Sequence, residues 1–102
     1  MITVIQTTSE SKQELEKLID YLVDNNKIAC GHIEAAVSSV YVWKGEFNHS
    51  DEYLVKMKTT LERRDEVVAY IKEHHSYELP EITWWEVDAT PEYANWVADQ
   101  TA

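Results

Sequence analysis

The residues that could do chemistry in this chain are mainly soft-metal ligands: Cys30, His32, His49, His74 and His75. Cys30 and His32 lie two apart, and on a strand that spacing directs both side chains to one face. A thiolate with imidazoles suits copper or zinc. Each residue also has a plainer use. A free cysteine packs as a small hydrophobe. A histidine at a helix C-terminus complements the dipole, which is the ordinary role for His74 and His75. His49 stands in the acidic run Asn48-His49-Ser50-Asp51-Glu52, expected to be a solvated part of the chain.

Other chemistry is poorly supplied. With only Gly31 and Gly45, no glycine-rich phosphate loop can form, and H-E-x-x-H, C-x-x-C and G-x-S-x-G are all missing. Covalent catalysis would need Cys30 with a base brought from elsewhere, and no such pair stands out. The reading is therefore that the chain is not an enzyme. Glu81 follows Pro80, where the backbone is stiff, and is expected to form a salt bridge or accept from loop N–H groups. Trp43, Trp84, Trp85 and Trp96 could stack on a ligand, although core or interface packing is the commoner use. Lys56 and Lys58 share a strand face, where they could hold an anion or screen nearby carboxylates.

These side chains sit on a chain of 102 residues, the length of one domain spanning 1–102. The formal net charge is −10. No basic stripe is present to neutralise phosphates, so neither nucleic acid nor an anionic membrane is an expected partner. One cysteine excludes an intrachain disulfide. The N-terminus has no basic region or long apolar run, and the default expectation is a soluble, cytoplasmic protein. Glycine and proline number two each, so turns are scarce and the elements must be long and few.

Residues 2–8 alternate as a strand. Ser11-Lys12-Gln13-Glu14 has the form of a capping box. Leu15, Leu18, Ile19, Leu22 and Val23 then follow helical spacing up to Asn25-Asn26. Residues 28–43 are strand-like, with a change of apolar parity that signals a bulge. Lys44-Gly45 predicts a tight turn into a return strand over about 46–58. Thr59-Thr60-Leu61-Glu62 predicts a second cap, and Val67, Val68, Ile71, His74 and His75 form its helical stripe. Residues 82–87 read as a short strand, and Pro91 opens a short third helix.

The order β-α-β-β-α-β plus a C-terminal helix predicts an α+β, ferredoxin-like fold. Its antiparallel four-stranded sheet has a long central hairpin and two helices on one face. The other face is expected to lack cover within the chain. Eleven aromatics (4 Trp, 6 Tyr, 1 Phe) must pack somewhere, which points to association with further copies.

Taken together, several segments resemble the CutA divalent-cation-tolerance family. They are Ile28-Ala29-Cys30, Ser39-Val40-Tyr41-Val42-Trp43-Lys44-Gly45-Glu46, Lys58-Thr59-Thr60, His75-Ser76-Tyr77-Glu78-Leu79-Pro80-Glu81-Ile82 and Tyr93-x-x-Trp96. In family order they span nearly the whole chain. The resemblance implies a homotrimer with strands pairing between subunits. It implies tolerance of divalent cations through binding of copper or another divalent metal ion, with Cys30 and His75 as ligands and Glu81 as an outer carboxylate. No cofactor is firmly implied. The alternative is a signalling or interaction trimer, similar to PII proteins, taking a small molecule or partner in an intersubunit cleft near Trp43, Lys58, Tyr77 and Glu81. Three departures stand out. Gln6 occupies a position that is cysteine in some members, Ser76 replaces a proline, and Ala35-Ala36 replaces Pro-Gly, which would move the break in the second strand toward Ser38-Ser39.

Overall fold

A computed structural model describes residues 1–102, the side chain of Ala36 excepted. The elements are β1 (Ile2–Ser9), α1 (Lys12–Asp24), β2 (Cys30–Trp43), β3 (Glu46–Thr59), α2 (Leu61–His74), β4 (Ile82–Val87) and α3 (Pro91–Gln100). All sheet pairings are antiparallel, in the order β2-β3-β1-β4. This is the ferredoxin-like plan expected from the order of elements.

Local chemistry explains the boundaries. Ser11 Oγ accepts from the Glu14 N–H at 3.1 Å, which caps α1. Only half of the capping box forms. Glu14 does not reach back to Ser11, whose N–H donates to Ser9 Oγ instead. Asn26 takes φ +59° just past α1, as its tolerance of the left-handed region allows. Lys44 and Gly45 both have positive φ, +50° and +80°, the requirement of a two-residue hairpin turn matched to strand twist. The second expected cap is absent. Thr60 is the N-cap of α2 and makes no side-chain cap hydrogen bond. Thr59, fully buried at the end of β3, donates its hydroxyl to the Lys27 carbonyl instead. Thr90 caps α3 by accepting from the Tyr93 N–H, with Pro91 in the first turn.

The main core lies between α1, α2 and one sheet face. Leu15, Leu18, Leu22, Val67 and Ile71 pack there on Ile5, Val55 and Met57. Contrary to expectation, the opposite face is not wholly bare. At one end α3 closes over it, with Val97 packed on Ile2 and Ala29. Beyond that end the face stays open, and Trp85 and Trp96 remain 39% and 42% exposed.

Each hairpin arm has 14 residues, a span of about 45 Å at ~3.3 Å per residue. This accounts for the 45 Å long axis of the molecule. The expected bulge is present. Register shifts between Glu34, opposite Leu54, and Val37, opposite Glu52. It lies upstream of Ser38-Ser39, because Tyr53 alone faces the two intervening positions. Ser9 pairs with Tyr53, so β3 residues 46–52 run on past the end of β1. That overhang creates the site described next.

Candidate functional site

Two places in the chain gather the residues singled out above. The first is the open sheet face. Cys30 pairs in register with Lys58, and Lys58 with Val4, so all three project to the side away from α1 and α2. The Cys30 thiol lies 3.4 Å from Tyr93 Oη on α3. That hydrogen bond, reinforced by burial and by the thiol's charge, pushes the Tyr93 phenol up to about 12. A phenol so held stays protonated and cannot serve Cys30 as a base. His32 is exposed on the same face, its Nδ1 3.3 Å from Lys58 Nζ.

His75 is elsewhere. Its side chain is fully buried, with Nε2 donating to the Thr8 carbonyl at 2.7 Å and Nδ1 accepting from the Tyr77 N–H at 3.1 Å. A carbonyl can only accept and an N–H can only donate, so this is the neutral Nε2–H tautomer with both nitrogens engaged. Thr8 lies four residues along β1 from Val4, and β1 is two strands from Cys30. The separation is on the order of 15 Å. A single chain therefore does not bring Cys30 and His75 together. No group of three or more His, Cys, Asp or Glu side chains is placed to hold a metal ion among the described residues.

The second place is a cleft of about 620 Å³ where the hairpin overhangs β1. Trp43, Tyr77 and Glu81 line it, together with Glu10, Ser39, Tyr41, Glu52 and Glu78. Lys58 does not belong to it, since its position opposite Cys30 lies well down the sheet from the overhang. Glu52, read from the sequence as part of a solvated stretch, is only 6% exposed. It accepts hydrogen bonds from Ser39 Oγ and from Tyr77 Oη, the latter at 2.7 Å. Tyr77 Oη in turn accepts from the Glu10 N–H at 2.8 Å. Burial first, then the bond to Glu52, raises the Tyr77 phenol far above its ordinary value. Strand parity groups Glu52 with the half-buried Leu54, Lys56 and Lys58 and not with the buried Val55 and Met57, so no sequence signal marked it as buried. Glu81 accepts from Gln6 Nε2 at 2.9 Å.

A hydrogen-bonded chain ties the end of β1 and the segment after α2 to α1. Glu14 accepts from Ser9 Oγ (2.6 Å), the Ser76 N–H (2.6 Å) and Ser76 Oγ (2.9 Å). Burial alone would raise its carboxyl, but these hydrogen-bond donors outweigh it and hold Glu14 below the usual 4.5. A depressed carboxyl contributes stability that is full above the unfolded value and is lost as pH falls through the folded value. Urea midpoints are therefore expected to decline as the pH drops below about 4.5. Glu14→Gln is expected to lower the midpoint at about pH 7 and to flatten the acid limb. An unchanged acid limb would assign the decline to other carboxyls.

Comparison with known proteins bears on the whole arrangement. Residues 3–100 match the family described as CutA1 divalent ion tolerance protein. The chain belongs to the CutA1 family. A curated CutA relative from Thermus thermophilus, named a divalent-cation tolerance protein, is 28% identical over 102 residues, covering 99% of each chain. A CutA homolog from Xenopus laevis is 29% identical over 79 residues, which is 76% of this chain and 52% of that longer protein. The solved CutA1 from Ehrlichia chaffeensis superposes with a TM-score of 0.93 at 29% identity, covering 99% of this chain and 95% of that one. CutA from Archaeoglobus fulgidus, titled a periplasmic protein, gives 0.94 at 26% identity over the full length of both. The CutA1 family is named for tolerance and not for a reaction. No helix of this CutA1-family chain is long and apolar enough to cross a membrane.

Proposed function

We propose that this protein serves divalent-cation tolerance as a cytoplasmic homotrimer that binds a soft cation, copper above all, through Cys30. The observation that carries this reading is the open sheet face. The chain's one thiol is half-buried there, with the exposed imidazole of His32 two residues along the same strand. A thiolate beside an imidazole favours a soft ion. His32 is within reach of Cys30, whereas His75 is both distant and hydrogen-bonded at each nitrogen. One thiolate and one imidazole leave an ion under-coordinated, and facing copies in the homotrimer would complete the set. Family membership and the bare aromatic face support assembly. The free thiol suits a reducing compartment.

The test is an anaerobic Cu(I) titration against a chelator of known affinity, read as ions per chain. Cys30→Ala is expected to abolish competition and His32→Ala to weaken it about tenfold, with His75→Ala binding as the wild type does below its melting range. Failure of the wild type to compete, or undiminished competition by Cys30→Ala, would remove the metal role from this face.

A further inference from the structure

The Cys30 sulfur has one hydrogen-bonding partner among the described residues, Tyr93 Oη at 3.4 Å. Cys30 opens β2, Tyr93 stands in the first turn of α3, and both are half-buried. The phenol is held from several sides. Its backbone N–H donates to Thr90 Oγ1 at 3.3 Å, and its side chain packs against the cluster of Ile2, Ala29 and Val97. Trp96 lies beside it, with ring centroids 5.6 Å apart. The far end of α3 is pinned by Arg63 Nε, which donates to the Thr101 carbonyl at 2.8 Å, and by Asn26 Nδ2, which donates to the Gln100 carbonyl at 3.0 Å. The sulfur's side is fixed as well, because the Ala29 N–H donates to the Lys58 carbonyl at 2.8 Å just before β2 begins. All of these contacts lie within one chain, so none of them waits on assembly.

The direction of the bond depends on the state of the sulfur. A thiol can give its proton to the phenol oxygen, but a sulfur that ligates a metal ion is a thiolate with no proton to give. Only the Tyr93 O–H can then donate, and its bond to the sulfur, with burial, keeps that hydroxyl protonated. A hydrogen bond to a thiolate is charge-assisted and stronger than one between neutral groups. It engages one lone pair of the sulfur and leaves the others free. Packing does not require the hydroxyl, since phenylalanine would fill the same space against Ile2, Ala29 and Val97.

We infer that Tyr93 is a positioning residue of the Cys30 site, its hydroxyl donating to the thiolate and holding the sulfur in one rotamer for a soft ion. This rests on the metal reading above and adds α3 to the elements that build that site. Donors placed behind a ligand atom orient it and tune its affinity, and their loss costs about tenfold or more.

The experiment compares the full-chain wild type with Tyr93→Phe, which keeps the ring and loses only the hydroxyl. In the metal-free chains, three-bond Hα–Hβ couplings of Cys30 are expected to report one staggered rotamer in the wild type and an average in the variant. In anaerobic Cu(I) competition the variant is expected to bind about tenfold more weakly, with its thermal midpoint within about 4 °C of the wild type. That combination separates positioning from packing, because a structural loss would move the midpoint and not the couplings alone. The inference is overturned if the wild-type couplings are already averaged, or if Tyr93→Phe leaves couplings and affinity unchanged. It is equally overturned if affinity falls only in step with the midpoint. A wild type that competes beside an unaltered variant removes the role of Tyr93 and keeps the metal reading. A wild type that does not compete removes the metal reading itself, and with it any role for Tyr93 toward an ion.

Discussion

His75→Ala is expected to destabilise the protein by about 3 kcal/mol. The side chain is fully buried, and its two ring nitrogens satisfy the Thr8 carbonyl and the Tyr77 N–H. Truncation leaves both backbone groups without partners, at roughly 1–3 kcal/mol each when water cannot reach them. It also removes the edge-to-face contact between His75 and Tyr77, whose ring centroids are 4.7 Å apart. For a domain of this size the thermal midpoint should fall by on the order of 15 °C. His75→Gln, whose amide can still donate to Thr8, is expected to recover part of the loss. Urea denaturation measures the energy. A midpoint shift under about 0.5 kcal/mol would mean that the histidine is held loosely and is free for another role. Paired with the copper titration, this separates a residue that holds the fold from one that holds an ion.

The second large effect concerns assembly. Trp85→Asp is expected to reduce the proposed homotrimer to single chains. Trp85 lies opposite Val4, on the same sheet face as Cys30. On α3, which closes over one end of the same face, Trp96 is 42% exposed. A specific interface buries about 800 Å² per partner. A carboxylate placed within it would have to be desolvated without a counterion, at a cost of several kcal/mol. Light scattering should report three chains for the wild type and one for the variant. The variant's melting should also occur at lower temperature, because association stabilises the folded chain by mass action. A single-chain mass for the wild type would reject the homotrimer, and a three-chain variant would move the contact off this face.

Much of the fold was legible in the sequence because it is governed by local rules. The stripe Leu15, Leu18, Leu22 gives a helical period, and alternation along 2–8 gives a strand. Lys44-Gly45 can adopt the two positive φ values of a tight hairpin turn. The parity change along 28–43 announced the bulge, although its place between Glu34 and Val37 depended on which β3 residue faced it. Element order then admitted few topologies, and the observed sheet is the one expected. The weak points were side-chain choices. Thr59 could cap a helix or bond the Lys27 carbonyl, and only its burial at the end of β3 decided for the latter.

By itself the sequence determined the elements, their order, the net charge of −10 and, through motifs in family spacing, membership of the CutA1 family. Tertiary structure alone decided which chemical groups meet. Cys30 and His75 share a soft-ligand chemistry on paper, yet the register sends them to separate regions and spends both imidazole nitrogens on backbone. Lys58 joins His32 and not the cleft. Glu52, acidic among acidic neighbours, becomes the cleft's buried carboxylate because β3 outruns β1 and the segment after α2 folds Tyr77 over it. Spacing along a chain sets the direction of a side chain relative to its own element. Contact between elements depends on register and overhang, which arise from the packing of the whole sheet.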